Sequence, residues 1–184
     1  VSGQYLRPGD RQPDHHKTFS GLEAGAEPNV TFTITGAEYS DTVAYSEFTS
    51  GSYTVTALPA RHMIGHGAMF YIIQGDKTIL YAQDTGYFYE EVFDFIKEKG
   101  FVFDMVSMDC TNVDIPIGDD GSHMGLPNIK RVISRLEDMN AIDQNTVKYV
   151  NHFSHNGNPL HLIMEEKAAA IGCGVSFDGC EVEF

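Results

Sequence analysis

The chain has 184 residues, 42% of them hydrophobic and 21% charged, with a formal net charge of -14 and three cysteines. That length and balance give one folded domain with a real core and argue against a disordered chain. The acidic surface repels phosphate backbones, which excludes sequence-independent nucleic-acid binding. An anionic small substrate remains accessible if a metal ion supplies local positive charge.

Cys110, Cys173 and Cys180 form neither a disulfide framework nor a CxxC knuckle. Reduced thiols and a cytoplasmic location are the expectation. No apolar run approaches the ~20 residues of a membrane span and no stretch reads as a signal peptide, so no membrane partner is expected.

In chain order, residues 1–51 read as a poorly defined segment. "RPGDRQPDHHKTFSG" is loop, and "NVTFTITG" is a strand by its alternation of Val30, Phe32 and Ile34. "SYTVTALPA" is a half-buried strand that stops at Pro59. "AMFYIIQGDKTILYAQ" places two apolar runs around Gln74–Lys77, a hairpin in which Gly75 and Asp76 suit the turn.

The period then changes to that of a helix. Tyr89, Val92, Phe93 and Ile96 make one apolar face, with acidic residues at its start, lysines at its end and Gly100 as its stop. "DMVSMDC" is a short strand. Ile129, Val132, Ile133 and Leu136 form a second helix with Pro127 in its first turn. "TVKYVN" is a strand, and Asn158–Pro159 open a third helix with Leu160, Ile163, Met164 and Ala168 inward. "GVSFDG" is a last strand. An antiparallel β region followed by a βαβαβ tail predicts a layered α/β fold, with neither repeat nor linker.

Asp84, Asp109 and His152 each end one of these strands, and His62 follows the strand that stops at Pro59. Ligands gather outside the carboxyl ends of strands in α/β sheets, so these four side chains can converge. Imidazole with carboxylate suits Zn²⁺, Mn²⁺ or Fe. Each residue also has an ordinary reading. Asp84 before Thr-Gly serves equally as a turn or cap residue, and His152 as a satisfied polar group at a strand end. His155 and His66 fall in loops, His15 and His16 form an isolated pair, and His161 lies within the third helix as a structural residue.

The series "TALPARH", "ILYAQDTG", "DMVSMDCT", "SHMG", "VNHFSH" and "FDG" resembles the C-terminal half of metallo-β-lactamase-fold hydrolases. Within that superfamily it is most similar to the phosphodiesterase branch, which includes the cyclic phosphodiesterase of the carbon–phosphorus lyase pathway. The resemblance spans residues 52–184 and implies half of an αββα sandwich. It also implies a two-metal site of Zn or Mn and a small phosphodiester, cyclic phosphates included, as substrate. By the same resemblance His62, Asp84 and His152 are metal ligands, with Asp84 bridging. His123 protonates the leaving group or holds the phosphate, Asp109 supports the site from behind, and His155 orients a neighbour. Two metals ~3.5–4 Å apart that activate a water and neutralise phosphoryl charge make this chemistry physically coherent.

The departure from the pattern is as informative. The signature H-x-H-x-D-H is absent; "DRQPDH" has Asp10 and Gln12 where histidines belong and no apolar strand before it. Three readings stay open: a fragment of a longer enzyme, a split enzyme completed by a second chain, or an inert member of the fold that serves binding or assembly. The start at Val1 favours the first two. A half-sandwich also leaves a sheet face bare, so association with a missing N-terminal half or a homo-oligomer is expected. A thiol nucleophile at Cys110 with His123 fits poorly, since nothing activates that thiol.

Overall fold

The computed structural model describes residues 46–62, 67–157 and 160–184. The predicted strand within residues 29–36, the pair His15 and His16, the "DRQPDH" segment, His66, Asn158 and Pro159 lie outside the described residues.

Among the described residues, seven strands form one sheet in sequence order. They are β1 (Ser46–Ser50), β2 (Tyr53–Pro59), β3 (Met69–Gln74), β4 (Thr78–Ala82), β5 (Met105–Asp109), β6 (Val147–Asn151) and β7 (Gly174–Val175). β1 to β4 pair antiparallel and β4 to β7 pair parallel, the two halves expected from the change of period. β1 precedes Ser52 and still belongs to the sheet: Ser50 pairs with Tyr53 across a two-residue turn in which Gly51 takes φ 62.

Short hairpins suffice for the antiparallel half, whereas each parallel step needs a crossover helix. These helices are α1 (Glu90–Lys99), α2 (Leu126–Asp138) and α3 (His161–Ala169). α1 turns Val92, Phe93 and Ile96 inward and ends on Gly100, whose φ of 68 lets its N–H close onto the carbonyls of Ile96 and Lys97. α2 buries Ile129, Val132, Ile133 and Leu136, and Pro127 sits in its first turn. Against them the sheet presents Leu58, Phe70, Ile72, Leu80, Val106, Met108 and Val150, all essentially inaccessible to water. At roughly 1.5–3 kcal/mol per fully buried large apolar side chain, this layer dominates the stability of the domain.

α3 departs from expectation. It starts at His161 after Leu160, and only Met164 and Ala168 are buried. Leu160 and Ile163, predicted inward, are exposed, as is Leu162 at 78%. The cause is position: α3 packs beside β7, a two-residue edge strand, which offers room for one narrow contact row. "GVSFDG" accordingly contributes only Gly174–Val175 to the sheet, and Phe177 is exposed.

The other sheet face is open among the described residues. Tyr53, Met69, Tyr71 and Tyr81 are each more than a third exposed there. A groove of ≈ 710 Å³ runs over Tyr81, Met105, Ser107 and Tyr149 towards His152. No helix among the described residues is long and apolar enough to cross a membrane.

Candidate metal centre

Three parallel strands bring their carboxyl ends side by side, β4 next to β5 and β5 next to β6. Asp84 stands two residues beyond β4, Asp109 is the last residue of β5, and His152 is the first residue after β6. The side chains therefore meet because the strands are in register.

Asp109 is the anchor. Its carboxylate is fully buried. One oxygen accepts the Thr111 N–H at 2.9 Å. The other accepts the Thr85 N–H at 3.1 Å and faces His123 Nδ1 at 2.7 Å. A carboxylate removed from water is tolerable only when its lone pairs are used in this way. These contacts tie the loop after β4, the loop after β5 and His123 to one point.

Three imidazoles surround Asp84. His152 Nε2 lies 3.2 Å from Asp84 Oδ1, and its Nδ1 is 2.8 Å from Thr111 Oγ1. His123 comes from the segment between β5 and α2, with Nδ1 4.0 Å from Asp84 Oδ1. His62 follows β2 and places Nε2 4.0 Å from the same oxygen, while its Nδ1 donates to the Ser122 carbonyl at 3.3 Å. The rings of His62 and His123 meet edge to face at 4.7 Å, and those of His123 and His152 stack at 5.6 Å.

The backbone is bent to make this possible. Asp84 and His152 take φ values of 55 and 59, in the left-handed region that aspartate and histidine enter more readily than most side chains. Val113 also takes φ 53, a costly geometry for a β-branched residue, in the loop that carries Thr111. Gly86 lets another segment approach: a Cβ there would lie 1.8 Å from the Gly121 carbonyl oxygen. The Gly86 N–H donates to the Arg61 carbonyl at 2.9 Å, and the Arg61 N–H to Thr85 Oγ1 at 3.0 Å. The loops that carry His62, Asp84 and His123 are thus laced together by main-chain contacts.

Asp84, Asp109, His123 and His152 each offer one donor atom, and these atoms all lie within 4.8 Å of one another. Two carboxylates and two imidazoles make a donor set that suits a Zn²⁺, Mn²⁺ or Fe ion, so the residues present fit a metal. His62 borders this set. Its Nε2 stands 4.0 Å from Asp84 Oδ1.

His155 begins a short 3-10 turn, and its ring is exposed and outside the cluster. The side chain that holds His152 is instead Thr111, at position two after Asp109. Thr85, Thr111 and Gly86 were not singled out by sequence reading, although each stands within two residues of a strand-end aspartate. His161 pairs with Glu165 one turn along α3 at 3.2 Å and touches Phe177 edge to face, in keeping with a structural role. Cys110 is buried, and burial pushes its thiol up to about 12, so it cannot act as a thiolate nucleophile near neutral pH.

No family model matches the chain, and no curated protein matches it. Solved structures do. The Bacillus subtilis metallo-β-lactamase fold protein YhfI superposes with a TM-score of 0.50 at 16% identity, over 71% of this chain and 48% of that one. A possible metal-dependent hydrolase from Veillonella parvula gives a TM-score of 0.50 at 13% identity, over 71% and 53% of the two chains. The chain thus spans about half the length of these two structures. The seven-stranded mixed sheet and three helices of the described residues match part of a metallo-β-lactamase fold.

Proposed function

We propose that this chain supplies part of the active site of a metal-dependent hydrolase acting on a small phosphodiester. The observation that carries the reading is the convergence of Asp84, Asp109, His123 and His152 donor atoms within 4.8 Å at the ends of adjacent parallel strands. The Veillonella parvula neighbour, a possible metal-dependent hydrolase, supports the general class, and the resemblance of the "SHMG" and "VNHFSH" motifs favours the phosphodiesterase branch.

Each residue has a role that its surroundings favour. Asp84 is half exposed and presents Oδ1 to all three imidazoles, which suits a ligand or a bridge. His152 and His62 turn Nε2 toward that oxygen and are its partner ligands. Asp109 closes the cluster from beneath: its carboxylate accepts the Thr85 and Thr111 N–H groups and fixes His123. His123, held at Nδ1, keeps Nε2 for a proton or a phosphoryl oxygen. A Zn²⁺ or Mn²⁺ pair, when bound, lowers the pKa of a coordinated water and offsets charge building on the phosphoryl group. This is how a chain of net charge -14 would accept an anion.

The test is metal analysis of the purified chain after reconstitution with Zn²⁺ or Mn²⁺, together with turnover of a chromogenic phosphodiester. His152→Ala is expected to lose bound metal and His161→Ala to keep it. Equal retention in both variants overturns the ligand assignment. A wild-type chain that binds no metal overturns the hydrolase reading in favour of an inert binding domain of the same fold.

A further inference from the structure

We propose that Thr111 is a positioning residue that sets the tautomer of His152 and so aims its Nε2 lone pair at the metal site; this rests on the hydrolase reading given above. The argument is one of donors and acceptors around a single oxygen. Thr111 Oγ1 donates its proton to the His152 main-chain carbonyl at 2.9 Å, an oxygen that can only accept. The hydroxyl has no second proton to give. His152 Nδ1, 2.8 Å from the same Oγ1, must therefore carry hydrogen and donate it. A neutral imidazole with hydrogen on Nδ1 has a bare lone pair on Nε2, and Nε2 is the atom that faces Asp84 Oδ1 at 3.2 Å. Two acceptors opposed at that distance form a seat for a cation.

The same oxygen reaches the second ring. His123 Nδ1 lies 3.2 Å from Thr111 Oγ1 and 2.7 Å from Asp109 Oδ2. Its hydrogen belongs to the carboxylate, and Oγ1 stands beside that bond. Thr111 is in turn placed by Asp109, which accepts its N–H. One hydroxyl therefore registers the loop after β5, the main chain and ring of His152, and the His123 ring. Residue contacts of this reach, 41 positions apart in the chain, are available only in the folded sheet.

Nothing else in the set can replace it. Asp109 Oδ2 is 3.7 Å from His152 Nδ1, beyond a hydrogen bond, and is already occupied. Without the hydroxyl, the hydrogen of His152 is drawn to Nε2, where Asp84 accepts it. The imidazole is then capped on its ligand atom.

The experiment uses the full chain with ¹⁵N-labelled histidine, metal-free, at a pH where the imidazoles are neutral. Two-bond ¹⁵N–¹H correlations report which nitrogen carries hydrogen. The wild type is expected to show His152 protonated on Nδ1, Thr111→Ser to keep that pattern, and Thr111→Val to shift it toward Nε2. In a parallel Zn²⁺ titration, Thr111→Val is expected to bind about 10–100-fold more weakly, the usual effect of removing a partner of a ligating histidine, with Thr111→Ser at the wild-type value. A wild-type His152 protonated on Nε2 overturns the proposal without recourse to any variant. So does a Thr111→Val spectrum that matches the wild type. A wild-type chain that binds no Zn²⁺ removes the hydrolase reading, while the tautomer of the metal-free protein still decides what Thr111 does.

Discussion

Asp84 and His152 lie at the ends of β4 and β6, both in the left-handed backbone region, and their side chains meet at 3.2 Å across the end of β5. The strained turn at each strand end is what redirects the two side chains from the sheet toward one another. Strain of this kind persists only when neighbouring structure holds it, and here the Asp109 hydrogen bonds do so.

Asp84→Asn separates geometry from charge. Asparagine tolerates the left-handed conformation as aspartate does, so thermal denaturation should be nearly unchanged. Loss of the carboxylate should weaken Zn²⁺ or Mn²⁺ binding by more than the ~10–100-fold typical of an indirect partner. Asp84→Val should instead cost stability, roughly 1–3 kcal/mol, because a β-branched residue resists this φ. Denaturation curves and metal titrations on the two variants measure both effects, and a normal affinity in Asp84→Asn would remove Asp84 from the ligand set.

Gly86→Ala should dismantle the site from a distance. The added Cβ would overlap the Gly121 carbonyl oxygen at 1.8 Å, a backbone atom that cannot rotate away. Separation of the two loops would release the Ser122 carbonyl from His62. The expected result is a loss of more than about 2 kcal/mol in chemical denaturation, in the range of overpacked sites, together with weakened metal binding. Unchanged stability would mean that the segment around Gly121 is free to move.

Thiol chemistry should count one cysteine out of three. Burial pushes Cys110 and Cys173 each up to about 12, whereas Cys180 is partly exposed. Alkylation of the folded chain near pH 8, read by mass spectrometry, should modify Cys180 alone, and denaturant should reveal the other two. Rapid labelling of Cys110 in the native state would contradict its burial beneath the site.

Asp104 gives a pH signature. The Thr78 N–H and then the Lys77 ammonium, at 2.8 and 3.0 Å, hold its carboxyl below the usual range. A depressed carboxyl contributes stability above its unfolded pKa, about 3.9, and loses it as the pH falls through the folded value. Asp104→Asn should thus cost roughly 1 kcal/mol or less at pH 7, since the site is solvent-screened, and nothing once the wild-type carboxyl is protonated. Urea denaturation at pH 7 and in acid checks the sign; a gap that widens in acid would refute it.

Local pattern in the sequence determined much of this architecture. The alternation of β2, the two apolar runs of the β3–β4 hairpin, the faces of α1 and α2, and the stop at Gly100 follow from which neighbours along the chain are apolar, and burial has only to select that face. The strand-end positions of Asp84, Asp109 and His152 were legible for the same reason. β1 was not, because "SEFTS" has one apolar residue and is a strand only by pairing with β2. Leu160 and Ile163 had the spacing of an inward face but no surface to meet at the sheet edge. Tertiary structure alone decided that Thr111, and not His155, holds His152, and that Asp109 takes its hydrogen bonds from three separate residues. Periodicity records which side of an element is apolar, whereas a hydrogen bond between residues 41 positions apart depends on how β5 and β6 align.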